Sequence, residues 1–444
     1  MVMLMAKVFA STLAGTLTAS IIGCFPALHV YNVAMLFVAM HATVARSALG
    51  NDPYVVLPFM MGMVVGWALM NTVPAVFLGA PDESAMLMVM PTQRYLMQGR
   101  GYEAAMLTAI GGLGGLICLL AVAPLLPRAV PMLRTVLNPH LFWLLMLVVA
   151  YMVLSEFPKG GDHGPSRSAR LLGAWIQLGA GMLTLVLSAW LGFILLRKAP
   201  LDTPFEFSKI TPAFVGLFAV PWVLQNVMSG TTPPRQFTPA SVDCPGTAAF
   251  SGISAGFLGG FFAAFMPLVT GGIGGLLAGH ATAQNDDRSF IVSQGTSKFV
   301  YYVGSFLLFF VPAASKTRGG LATMLRTIYM PRGLGDYLMV IASMAIAGAA
   351  AFLLMGGCAR AVIWLIQRVD YRLLSYMALG IMAVLVFAMA GWMGMFILLV
   401  SAGIGMLPVV FFSRRSNCMG ILLIPVTLDM AGYGPAIAQF LGLQ

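Results

Sequence analysis

The chain has 444 residues, of which 59% are hydrophobic and only 9% are charged, and its formal net charge is +10. Soluble domains carry about 25% charged residues, so this composition excludes a soluble enzyme and predicts a membrane protein with many helices. The Lys and Arg residues fall in short polar breaks, such as those at Arg94, Arg197 and Arg414, rather than in one patch. That spread is typical of loops that orient membrane spans, and it argues against a nucleic-acid partner.

Apolar stretches follow one another along the whole chain, and a helix needs about 20 apolar residues to cross a bilayer. They lie near 5–25, 30–46, 53–78, 103–126, 136–154, 171–196, 210–229, 250–279, 290–313, 336–366, 371–391, 392–412 and 419–440. Some of them are interrupted, so the sequence predicts an all-α integral membrane protein with about 10–12 transmembrane segments. Its predicted location is the cell (plasma) membrane, with the lipid bilayer as its surroundings.

Four stretches break the apolar pattern with Gly, Pro or polar residues, namely 15–32, 71–84, 252–275 and 293–298. Backbone groups freed inside a membrane are tolerated only where protein or a water-filled cavity satisfies them. Broken or re-entrant helices mark substrate and ion sites in many transporters, because their ends present partial charges to the ligand. The sequence therefore predicts a binding site built from these stretches.

The first and third broken stretches are similar to each other, and each opens one half of the chain. The segment GTLTASIIGCFPALH aligns with GISAGFLGGFFAAFM, so that Gly15 matches Gly252 and Gly23 matches Gly260. A second broken stretch follows each of them, which is the order that an internal duplication predicts. The predicted division is a first repeat over 1–230, a connecting loop over 231–249 and a second repeat over 250–444. The repeats would be parallel or inverted.

Polar residues inside the broken stretches are the candidates for substrate binding. They are His29, Asn32, Asn71, Thr72, Thr270, Gln294, Thr296 and Lys298. A charge at the bilayer centre costs at least about 2.5 kcal/mol, so Lys298 is expected to face a cavity or a partner. It would supply positive charge to an anionic ligand, with Gln294 on the same helix face. The alternatives are a side chain that extends toward the interface or a pairing with Asp82 or Glu83.

Two other pairs admit either a structural or a functional interpretation. His29 and Asn32 lie about one helical turn apart after Pro26. They would either bind an anion or satisfy the freed backbone of a broken helix. Asp82 and Glu83 would either couple transport to a proton or cation, or stabilise the start of a helix through its dipole.

Enzymes and ATP-driven pumps carry motifs that this sequence lacks. The five cysteines are scattered without a CxxC pair, HExxH is absent, and the glycines at 271–275 are not followed by the Lys-Ser/Thr of a Walker loop. No Ser/His/Asp or Cys/His set occurs at a family-specific spacing. We therefore predict a protein that is not an enzyme, with no metal site and no cofactor.

Three segments resemble the large membrane subunit of tripartite tricarboxylate transporters, closest to the shorter, archaeal branch of that family. The most specific is FLGAPDESAMLMVMPTQRYLMQGRGYEAAM at 77–106, with its Pro-Asp-Glu, Pro-x-x-Arg and Gly-Arg-Gly-Tyr-Glu-Ala elements. The segments GTLTASIIGCFPALHVYN at 15–32 and TPAFVGLFAVPWVL at 211–224 resemble its N-terminal and mid-chain elements. The sequence departs from the family pattern at Pro26-Ala27, where Pro-Gly is expected, and at Lys298, where a small or amide residue is expected.

The resemblance implies a secondary transporter of the permease type. It would move an anionic solute, such as a small carboxylate, by alternating access. It also implies a small membrane subunit and an extracytoplasmic binding protein as partners. Two alternatives stay open at this point: a carrier or flippase for an anionic lipid such as a polyprenyl phosphate, and a membrane scaffold subunit that transports nothing.

Overall fold

The computed structural model describes residues 2–26, 52–156, 166–198, 200–201, 206–230, 232–282, 286–312 and 319–443. Within these ranges the chain forms helices and turns and no strand. The helices are α1 Val2–Gly23, α2 Pro53–Met70, α3 Thr72–Phe77, α4 Val89–Met97, α5 Gly101–Val122, α6 Leu126–Leu137, α7 Leu141–Leu154, α8 Arg167–Arg197, α9 Glu206–Phe214, α10 Val220–Ser229, α11 Gly246–Phe265, α12 Gly271–Ala281, α13 Asp287–Phe310, α14 Gly319–Arg326, α15 Leu334–Ile366, α16 Tyr371–Val410, α17 Gly420–Met430 and α18 Gly434–Phe440. The short connections are 3₁₀ turns at Ala123–Leu125, Asn138–His140 and Arg415–Met419 and a π-helical turn at Val215–Ala219.

Eight helical stretches are long and apolar enough to cross a membrane, and a ninth is added if the bent pair Arg415–Met430 and Gly434–Phe440 forms one span. This count applies to the described residues, and the predicted segment 30–46 lies outside them. Large apolar side chains such as Leu353 and Trp392 are about four-fifths exposed. Lipid is the solvent that makes such exposure favourable. The predicted all-α membrane fold is confirmed.

The chain packs as two compact units. Unit 1 comprises Met1–Arg134 and Ser229–Ala378, and unit 2 comprises Thr135–Met228 and Leu379–Gln444. Each unit takes one segment from each half of the chain. The predicted division into two sequential repeats is not tested by this packing and stays a prediction.

In unit 1, glycines let helix backbones approach each other closely. A Cβ on Gly15 of α1 would overlap the carbonyl oxygen of Phe59 on α2, and a Cβ on Gly256 of α11 would overlap the carbonyl oxygen of Ser293 on α13. Packing through small residues is the usual way for helices to associate in lipid, where apolar burial supplies no driving force between them. Helix α1 ends at Gly23, whereas α11 continues to Phe265, beyond Gly260, which the sequence alignment pairs with Gly23.

The crossing of α11 and α12 is expected to tolerate no side chain at its centre. A Cβ on Gly259 would overlap the backbone of Gly274, so Gly259→Ala forces the helices apart and should cost about 1–3 kcal/mol of stability. Gly357→Ala on α15 is the matched control, because a Cβ there meets nothing within 4 Å. Both variants share the same gain in helix propensity of about 1 kcal/mol. Thermal unfolding of the purified proteins checks the difference, and equal melting temperatures would contradict the close crossing.

Candidate functional site

The break between α2 and α3 places two polar side chains inside unit 1. Pro74 has no backbone N–H with which to bond the Met70 carbonyl, so the regular helix ends there. Asn71 caps α2, and its N–H donates to the Trp67 carbonyl at 3.0 Å. Thr72 opens α3, and the side chains of Asn71 and Thr72 are both buried. The predicted interruption therefore presents an amide and a hydroxyl to the interior.

Lys298 of α13 reaches this break. The residue is 1% exposed, and its Nζ donates hydrogen bonds to Oδ1 of Asn71 and Oγ1 of Thr72. These partners lie more than 220 residues away in the chain. The structure therefore joins three of the predicted site residues around one buried ammonium.

Asn71 also connects Lys298 to an acid. Its Nδ2 donates to Oδ2 of Asp82 at 2.7 Å, so one amide group bridges the ammonium and the carboxylate. The other carboxylate oxygen of Asp82 accepts from the backbone N–H groups of Ser84 at 3.1 Å and Ala85 at 2.8 Å. Asp82 thus caps the turn that follows it, which is the structural role considered for it above. Only the Asn71 side chain separates its carboxylate from the Lys298 ammonium.

Tyr302 completes the cluster and is a residue that sequence reasoning missed. Its hydroxyl lies 2.8 Å from Oδ2 of Asp82 and 3.0 Å from Oε1 of Glu83. A tyrosine has one hydroxyl proton, so it can donate to only one of these carboxylates at a time. Its spacing in the sequence could have identified it, because Tyr302 lies four residues after Lys298 and therefore on the same face of α13. We call Asn71, Thr72, Asp82, Glu83, Lys298 and Tyr302 the ammonium cluster.

The remaining predicted residues lie in three different situations. Thr270 is attached to the cluster, because its hydroxyl donates to the Glu83 carbonyl at 3.3 Å. Gln294 is 1% exposed, and neither of its amide atoms has a hydrogen-bond partner in the described structure. Thr296 donates to the Gly111 carbonyl on α5 at 2.8 Å instead of facing the ammonium. His29 and Asn32 lie outside the described residues.

A polar cavity of about 500 Å³ opens in unit 1 beside the start of α13. Its lining residues are Arg94, Tyr95, Gln98, Arg100, Asp286, Asp287 and Arg288. Arg94 pairs with Asp287 at 2.6 Å, and a hydrogen bond to Glu103 holds the pKa of Arg100 above its ordinary value. Arg100 therefore stays cationic. Lys298 lies ten residues beyond Arg288, about 15 Å along the same helix.

The sequence pattern of the tripartite tricarboxylate transporter TctA family matches residues 9–420 of the chain. The chain belongs to this family. The resemblance carried by 15–32, 77–106 and 211–224 is thereby confirmed. An uncharacterized protein of Methanocaldococcus jannaschii is 22% identical over 422 residues, which cover 93% of this chain and 96% of that protein. No solved structure matches the chain.

Membership in the TctA family makes the chain a membrane transporter component of a tricarboxylate transport system. The family consists of transporters rather than enzymes. The TctA match and the eight apolar helical stretches together establish a multi-pass membrane protein, consistent with the plasma membrane. Members of the family work within tripartite systems in the membrane.

Proposed function

We propose that this TctA protein carries an anionic solute, with small carboxylates as its substrate class, by alternating access. The observation that supports the proposal is the burial of Lys298 at the break between α2 and α3. Its ammonium is held by the neutral oxygens of Asn71 and Thr72. A carboxylate forms shorter and stronger hydrogen bonds to an ammonium than a neutral oxygen does. An incoming carboxylate could therefore replace Asn71 and Thr72 as the partner of Lys298.

The polar cavity offers an approach to this ammonium. Its lining carries Arg94, Arg100 and Arg288 beside Asp286 and Asp287, so it offers a polar entrance rather than a net positive charge. Substrate would then move about 15 Å along α13 from Arg288 toward Lys298. We accordingly propose that Thr270 and Gln294 line this path, whereas Thr296 bonds to Gly111 on α5 and stays outside it. His29 and Asn32 remain proposed substrate-binding residues.

We further propose that Asp82 and Glu83 couple the movement of substrate to that of a proton. Protonation of Glu83 would leave the Tyr302 hydroxyl free to donate to Asp82 alone. Asp82 shares its Oδ2 atom between Tyr302 and Asn71, so a change at Tyr302 reaches Lys298 through one amide. As in other tripartite systems, a small membrane subunit and an extracytoplasmic binding protein would deliver the solute.

Uptake into proteoliposomes tests the proposed function. Purified protein is reconstituted alone and with a small membrane subunit and a binding protein of a tripartite system. Labelled mono-, di- and tricarboxylates are supplied under an imposed proton or sodium gradient. Accumulation of a carboxylate above protein-free vesicles is expected, with Gly357→Ala as an active control. Failure to move any carboxylate, in either reconstitution, would contradict the proposal. Transfer of a labelled polyprenyl phosphate between leaflets instead would favour a lipid carrier.

A further inference from the structure

The 3₁₀ turn Arg415–Met419 carries a polar segment into the interior of unit 2. Its residues read Arg-Ser-Asn-Cys-Met, and all five are buried. Arg415 itself is only 6% exposed. The adjacent Arg414 and Arg415 predict a basic loop between spans, so the burial of Arg415 is a finding of the tertiary structure.

Two groups from the region around the π-helical turn hold the Arg415 guanidinium. Its Nη1 donates to the Phe218 carbonyl at 3.0 Å, and its central carbon lies 4.3 Å from the centre of the Trp222 ring. The π-helical turn Val215–Ala219 contains Phe218. Single π turns inside α-helices occur frequently at functional sites. The Phe218 carbonyl therefore holds one nitrogen of the guanidinium, and the Trp222 ring covers one of its faces.

One nitrogen of the Arg415 guanidinium has no partner among the described residues. The Arg415 Nη2 atom is buried and has no hydrogen-bond partner, and no carboxylate of the described residues lies within 4 Å of Arg415. Nε1 of Trp222, whose ring stacks on this guanidinium, is also buried without a partner. So are two donors of the neighbouring residues, Oγ of Ser416 and Nη1 of Arg414. Buried polar groups in native proteins are almost always hydrogen-bonded, and a buried cation left without an anion is strongly unfavourable.

The charges around the turn favour a ligand with one negative charge. Arg414 and Arg415 contribute two positive charges. Glu156 contributes one negative charge, and its Oε1 accepts from the Arg414 N–H at 2.5 Å and from Nδ2 of Asn417 at 3.2 Å. One positive charge is left among the described groups. A single carboxylate balances it, and its two oxygens can accept from two separate donors, Nη2 of Arg415 and Nε1 of Trp222.

We propose that unit 2 contains a carboxylate-binding site, in which Nη2 of Arg415 and Nε1 of Trp222 donate to the carboxylate of a bound organic acid. The site is separate from the ammonium cluster of unit 1 and does not rest on the proposed transport. The bound acid can be a dissolved organic acid or a fatty acid of the bilayer, because both carry the carboxylate that the site recognises.

Thermal unfolding of the full-length protein in detergent tests this site. The Lys298→Met background removes any contribution from the ammonium cluster. Sodium succinate represents a dissolved acid and sodium decanoate a fatty acid, and sodium chloride at equal ionic strength is the reference. At least one carboxylate is expected to raise the melting temperature above the chloride reference. A shift with succinate identifies a dissolved acid, and a shift with decanoate alone identifies a lipid-derived one.

Substitutions then assign the shift to Arg415. Arg415→Gln is expected to weaken carboxylate binding at least tenfold. Arg368→Gln is the matched control, because Arg368 stacks on Trp364 at the same 4.3 Å but is exposed. Trp222→Phe keeps the ring and removes the Nε1 donor, so a two- to tenfold weakening is expected. If Arg415→Gln does not fold, Trp222→Phe is the variant that tests the carboxylate site. Wild-type binding in Arg415→Gln would overturn the proposal. If Arg415→Gln does not fold, wild-type binding in Trp222→Phe would overturn it. Equal shifts of the melting temperature with chloride and with the carboxylates would overturn it as well.

Discussion

Lys298→Met is expected to weaken carboxylate binding about 10- to 150-fold, which corresponds to about 1.5–3 kcal/mol. The substitution removes the ammonium but keeps a side chain of similar length. Asn71 and Thr72 then lose their shared donor, and the carboxylate loses its charged partner. Transport and ligand-induced thermal stabilisation in reconstituted membranes measure the effect. Wild-type affinity in Lys298→Met would exclude the role of Lys298 in binding.

Two further variants separate ligand binding from a purely structural role of Lys298. Lys298→Arg should restore binding only in part, because the planar guanidinium is larger and cannot reproduce the same contacts. Thr72→Val removes one acceptor of the ammonium but no charge, so it should lower the melting temperature with much less loss of binding. If Lys298 only stabilises the fold, binding and melting temperature will fall in proportion in all three variants. A loss of binding well beyond the loss of stability in Lys298→Met supports a direct contact with substrate.

Glu83→Gln is expected to abolish accumulation against a gradient while leaving substrate binding in place. The amide cannot take up and release a proton, so the Tyr302 hydroxyl no longer changes partner between Glu83 and Asp82. Asp82→Asn should lose coupling and stability together, because Asp82 also accepts from Asn71, Ser84 and Ala85. The ratio of internal to external labelled substrate, with and without the gradient, measures the coupling.

Tyr302→Phe is the variant that tests the connection between the two acids. It removes the hydroxyl and keeps the ring that meets Trp67 edge-on at 5.0 Å, so coupling should fall while packing is preserved. Thr296→Val serves as the control, since Thr296 bonds to Gly111 on α5. Unchanged gradient-driven uptake in both Asp82→Asn and Glu83→Gln would leave these acids with only the stabilisation of a turn.

The main elements of the ammonium cluster were predictable because they interrupt a local pattern. Asn71 and Thr72 stand before Pro74 inside apolar sequence, and Lys298 is a cation inside another apolar stretch. Such interruptions are visible in one chain segment without knowledge of its neighbours. The contacts between them were not predictable, because Lys298 and Asn71 are 227 residues apart and their meeting depends on how α2 and α13 pack.

The sequence by itself determined the solvent, the helical class and the positions of three of the four breaks, because composition and the local placement of Gly, Pro and polar residues decide these. The fourth stretch, 293–298, is no break, since it lies inside the continuous helix α13. Only the tertiary structure decided which side of each helix faces protein. In lipid a helix is apolar on all sides, so its hydrophobic pattern does not distinguish the packed face from the exposed one. For that reason three contacts could not be predicted from the sequence. Thr296 lies against α5 rather than beside Lys298, Tyr302 lies between two carboxylates, and Arg415 is buried against Trp222.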